Sequence, residues 1–173
     1  FSYRKWNDET GKYTAISSIF NYGLSENQLR VKGNYYHRFN NQNYAYIALS
    51  GGSSINQFNG NEPISTIVNS ISTLFFKNNF IKLYNKEFAE INYVREVANG
   101  FFISGKLLYE NRRALFNTTD YTVLKNDALY TSNDPLQPLN FTSTPFQKHE
   151  IIKGQIGTRI RFGQKYISRP DGK

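Results

Sequence analysis

Three carboxylates, Glu90, Glu96 and Glu110, stand on neighbouring strand-like stretches of this chain. Paired carboxylates are what glycosidic-bond cleavage needs. Lys106 lies within pairing reach of them, so ion pairing on a polar face is the expectation and hydrolysis the alternative. The two histidines, His37 and His149, have no Cys, carboxylate or further His at ligand spacing. No Gly-rich phosphate loop, nucleophile elbow or His-Glu-x-x-His motif occurs. The chain of 173 residues has no Cys, which removes disulfide and thiolate chemistry. These residue types point away from catalysis, and neither a metal nor a cofactor is expected.

The remaining chemistry is charge set against apolar surface. The formal charge is +8. A basic excess suits a phosphate-bearing partner or an anionic membrane when clustered, and a solvated face when spread. Here Arg30, Lys32, Arg38, Lys106, Lys153, Arg159 and Arg161 alternate along their stretches with apolar residues. They read as candidate lumen-facing groups whose field favours anions. Leu29, Val31, Tyr35, Ile103, Leu107, Ile156 and Ile160 fall on the opposite face and read as candidate lipid-facing groups.

The elements that position these residues follow from period. From Gln28 to Phe39, Leu29, Val31, Gly33, Tyr35, His37 and Phe39 share one face, and Gln28, Arg30, Lys32, Asn34, Tyr36 and Arg38 the other. A period of two over this length exceeds the roughly 5–6 residues of an ordinary strand and suits the roughly 9–11 of a bilayer-crossing one. Similar runs occupy Phe101–Glu110 and Lys148–Phe162. Further strands are expected over Tyr13–Tyr22, Tyr44–Ser50 and Phe88–Val97. Turns fall at Trp6–Lys12, Asn40–Gln42, Asn99–Gly100 and Ser168–Gly172.

One segment changes period. Ile64, Ile67, Val68, Ile71, Leu74 and Phe75 make a helical stripe after Pro63, ending at Lys77-Asn78-Asn79. The spacing predicts one short helix near 63–76, its stripe packed over a barrel mouth or a sheet. Gly51–Asn61 reads as loop, and a long loop runs near 111–146. The fold class is all-β: an antiparallel meander forming part of a transmembrane β-barrel, with about six or seven strands. Tight and long connections alternate as they do in outer-membrane barrels. Tyr22, Phe39, Phe101, Tyr109 and Phe162 sit near strand ends, where interfacial girdles lie. Arg95 is the misfit on the apolar face, close to the Asn99–Gly100 turn.

The stretch Tyr109-Glu110-Asn111-Arg112-Arg113-Ala114-Leu115-Phe116-Asn117-Thr118-Thr119-Asp120-Tyr121, with Asn79–Tyr84 and Gln164–Pro170, resembles a Bacteroidetes-type outer-membrane family. In that family a carboxypeptidase-regulatory-like domain precedes a large barrel of unknown function. The resemblance implies a bacterial outer-membrane location, lipid and other outer-membrane or periplasmic proteins as partners, and no nucleic acid. It also implies that residues 1–173 are one segment of a barrel domain within a longer chain. The absence of an initial Met and of a signal-like leader fits that expectation. The functional expectation is a non-enzymatic role in transport across, or assembly of, the outer membrane. The alternative is a soluble basic β-domain binding polyanions such as nucleic acid, with Tyr36, Tyr44 and Tyr46 as stacking rings.

Overall fold

The structure is a computed structural model and describes residues 1–24, 26–39, 43–60, 64–118, 120–124 and 127–163. Seven strands form one antiparallel sheet in chain order. They are β1 (Ser2–Asn7), β2 (Lys12–Gly23), β3 (Gln28–Arg38), β4 (Tyr46–Gln57), β5 (Leu83–Ala98), β6 (Phe101–Ala114) and β7 (His149–Ile160), with one helix, α1 (Thr66–Phe76), between β4 and β5. Among the described residues β1 and β7 are unpaired edges, so the sheet is an open meander. It bears out the all-β meander with one short helix. The turns expected at Asn40–Gln42 and Ser168–Gly172, and Pro63 ahead of the helix, lie outside the described residues.

Local chemistry sets the short turns. Asn7 Oδ1 accepts the Thr10 N–H at 3.0 Å, and Gly11 takes φ 63 to turn the chain into β2. At the β5–β6 turn Gly100 has φ 75, and its N–H donates to Glu96 Oε1 at 2.7 Å. These turns and the 39–45 connection sit at one end of the sheet. The 24–27, 58–82 and 115–148 connections sit at the other.

Two strands run further than the sequence suggests. β4 continues to Gln57 through the Gly51–Ile55 stretch read as loop, because β5 starts at Leu83 and pairs with it as far as Gln57↔Leu83. β6 continues to Ala114, opposite Tyr84, so the long loop starts at 115 and not at 111. β1 has no sequence-based counterpart, since Tyr3 and Trp6 fall on opposite faces and the stretch does not alternate.

The β3–β4 pairing is partial and stops at Lys32↔Gly52. Gly52 has φ 133, and a Cβ there would lie 2.0 Å from the Val31 carbonyl oxygen, so only glycine fits. Above it Gln28–Val31 pair with β2 and Ser53–Gln57 with β5. Arg30 bridges the two halves. It is 4 % exposed, donates from Nε to Asn85 Oδ1 at 3.1 Å and from Nη2 to Gln28 at 3.0 Å, and pairs with Glu26 in the β2–β3 turn.

α1 does not pack on the sheet, which corrects one of the two positions expected for its stripe, a sheet or a barrel mouth. Ile67, Val68, Ile71 and Phe76 are exposed. The helix is held by polar contacts instead. Asn69 Oδ1 accepts the Phe80 and Ile81 N–H groups, and Tyr130 donates its hydroxyl to the Thr73 carbonyl at 3.0 Å. Lys77, at φ 58, closes the helix: its N–H donates to the Thr73 carbonyl and the Asn78 N–H to the Ser72 carbonyl.

Candidate functional site

The register sorts the sheet into two faces. On one, Tyr3, Ile16, Tyr35, Leu49, Ile91 and Leu107 stand side by side across six strands. On the other, Asn34, Ser50, Glu90, Leu108 and Lys153 do so. All seven residues read as lipid-facing lie on the first face: Leu29, Val31, Tyr35, Ile103, Leu107, Ile156 and Ile160. All seven read as lumen-facing lie on the second: Arg30, Lys32, Arg38, Lys106, Lys153, Arg159 and Arg161.

Burial on these faces is the reverse of a soluble core. The buried apolar residues are Ala45, Ile81 and Phe102 alone among the described residues, while Arg30, Asn85, Glu96 and Glu110 are all buried. Ile156 is 89 % exposed and Leu107 52 %. Soluble monomers rarely leave a contiguous apolar patch beyond a few hundred Å² in water. Each such side chain forgoes about 1.5–3 kcal/mol of burial.

The apolar face forms a band across the strands. On β6 it spans Phe101–Tyr109 and is capped by Asn111 and Arg113. On β7 it spans Ile152–Ile160 and is capped by Glu150. On β5 Glu87 caps it. Tyr109 registers through Ala89, Gly51 and Gly33 with Ser18, yet on β2 the band reaches Tyr22, four residues further over four strand steps. Across β5–β7 the band edge is level, since Glu87, Asn111 and Glu150 stand in register. Arg95 sits on this face opposite Ile103, four residues before Asn99, near the band's short-turn edge.

On the polar face the carboxylates are engaged as ion pairs. Lys106 Nζ lies 3.0 Å from Glu90, Lys86 Nζ 3.4 Å from Glu110, and Arg112 also grips Glu110. Glu96 caps the β5–β6 turn. Other cations rest on rings. Lys32 lies over Phe88, Arg38 over Trp6 at 4.6 Å, and Arg159 and Arg161 over Phe102 at 4.4 and 5.3 Å. His37 is on the apolar face, its Nδ1 2.8 Å from Thr14 Oγ1 and its ring stacked on Tyr35. Among the described residues no group of three His, Cys, Asp or Glu side chains converges as a metal site would require.

Sequence reasoning missed Tyr13 as a partner of Tyr36 and Trp6 as a partner of Tyr13, and Asn85 and Asn133 as structural clamps. Trp6 belongs to the unrecognised β1. Asn85 and Asn133 carry no local signal, because the groups that they bind lie about fifty residues away.

The fold and its faces define an open antiparallel β-meander of inverted polarity, buried charge on one side and exposed apolar residues on the other. The chain belongs to the family of unknown function DUF5686: it matches the model of that family's C-terminal domain over residues 1–173. No curated protein and no solved structure matches it.

Proposed function

We propose that this chain forms part of the wall of a transmembrane β-barrel in a bacterial outer membrane. Its apolar face meets lipid and its polar face lines the lumen. The role is non-enzymatic, in transport across or assembly of that membrane. The observation that carries the reading is the inverted polarity of the sheet, with apolar side chains exposed on one face and charged ones buried on the other. Two further features support it. The two long connections, 58–82 and 115–148, share one end of the sheet, together with the short 24–27 turn. The open edges at β1 and β7 would need further strands, since an unpaired edge leaves backbone groups unsatisfied in lipid. A carboxypeptidase-regulatory-like domain ahead of the barrel is part of the same reading.

The experiment is fractionation of the full-length protein. Recovery in outer membranes, resistance to carbonate extraction, and a faster-migrating band in unheated gels are the expected outcomes. Recovery as a soluble protein without detergent would overturn the reading and favour a soluble polyanion-binding domain.

A further inference from the structure

On the polar face near the short-turn end, four rings from four consecutive strands touch in series. Trp6, Tyr13, Tyr36 and Tyr46 have centroid separations of 5.6, 5.8 and 5.1 Å, with planes tilted by 52°, 56° and 34°. Arg38 registers between Tyr13 and Tyr46. Its guanidinium covers the Trp6 ring, and its Nε and Nη2 are shielded from solvent and donate to no described residue. A shielded guanidinium with unused donors is costly unless something else uses them. Arg30, Arg112 and Lys106, on the same face, each meet a carboxylate.

We propose that this ladder, with Arg38 at its centre, binds an acidic oligosaccharide: a chain of pyranose units bearing carboxylates. The proposal rests on the reading of this face as a lumen lining. Pyranose rings present an apolar C–H face that lies flat on aromatic rings, and the ladder's pitch is close to the length of one sugar unit. When the guanidinium turns off the indole, its fork is free to take a carboxylate through two parallel N–H bonds. The vacated indole face then receives the sugar ring. Arg159 and Arg161, which pair with no carboxylate among the described residues, keep the field positive at this end. Nucleic acid fits less well. One guanidinium is not a phosphate track.

The test measures binding to the full-length protein by calorimetry in detergent, with trigalacturonate, maltotriose and a short oligothymidylate as probes. Trigalacturonate is expected to bind saturably and to shift Trp6 fluorescence, read as the difference from Trp6→Phe. Arg38→Gln and Trp6→Ala should each weaken it by about tenfold or more. Arg38→Lys, which keeps the charge and loses the fork, should weaken it by less. Maltotriose is expected to bind at least about tenfold more weakly. Equal binding of maltotriose, ladder-dependent binding of oligothymidylate in its place, or no saturable trigalacturonate binding would each overturn the proposal. A correctly inserted barrel that fails to bind sinks the ladder site alone. A soluble protein sinks the barrel reading, while the same titrations still decide the ladder.

Discussion

The side chain of Asn133 hydrogen-bonds both main-chain groups of Leu83, accepting its N–H at 2.8 Å and donating to its carbonyl at 2.6 Å. It also donates to the Leu115 carbonyl at 2.7 Å. One buried amide thus takes the place of a strand at the ends of β5 and β6 and fastens the long 115–148 connection over them. Asn133→Ala should cost about 1–3 kcal/mol, since it strands backbone groups at a buried site. Hydrogen exchange should show the Leu83 amide losing protection and protease cutting within 127–146, with the strands intact.

Gly52 tests the break between β3 and β4. Gly52→Val introduces a Cβ 2.0 Å from the Val31 carbonyl oxygen at φ 133, so strain of about 1–3 kcal/mol adds to a steric clash. Gly33→Ala meets nothing within 4 Å and should stay within about 0.5 kcal/mol of wild type. The folded fraction in unheated gels should fall for the first and hold for the second.

Adjacent residues on β5 test the two faces. Ile91→Lys puts a charge on the apolar band and should cost about 2–4 kcal/mol if that level is the bilayer midplane. Asn92→Lys, on the opposite face, should cost no more than about 0.5 kcal/mol. Arg95→Leu, near the band edge, should gain about 0–1 kcal/mol. Denaturant titration of the protein in vesicles gives all three.

Asp134 makes the long connection acid-sensitive. The Ser143 hydroxyl donates to its Oδ2, and the Leu136 and Gln137 N–H groups to its Oδ1, which together outweigh desolvation. Its pKa is held below the ordinary 3.8. The folded pKa is depressed, so this stabilisation is complete above 3.8 and lost as pH falls through the folded value. Protease sensitivity of 127–146 should rise below about pH 4 in wild type. In Asp134→Asn it should already be raised at neutral pH and change less on acidification.

Much of the fold is legible because its signals are local. The alternation in Gln28–Phe39, Phe101–Glu110 and Lys148–Phe162 needs no knowledge of partners, and the Ile64–Phe75 stripe marks a helix by period alone. What is not legible depends on distant groups. The Gly51–Ile55 stretch looks like loop because its composition is turn-like, and it is strand only because β5 supplies Asn85–Ala89 opposite it. The aromatic ladder is hidden because Trp6 and Tyr46 are forty residues apart in sequence and neighbours only through two intervening strands.

The central claim is that the face bearing Leu107 meets lipid while the face bearing Lys106 does not. Residues 1–173 hold no Cys, so, with any cysteine elsewhere in the full-length protein replaced, single cysteines at these positions can be labelled with an environment-sensitive fluorophore in bilayers. The label at Leu107→Cys should emit as in hydrocarbon and be quenched by nitroxide-bearing lipid but not by aqueous iodide. The label at Lys106→Cys should show the reverse. A Leu107→Cys label that lipid nitroxide leaves unquenched, on a protein stable in water without detergent, would contradict the account.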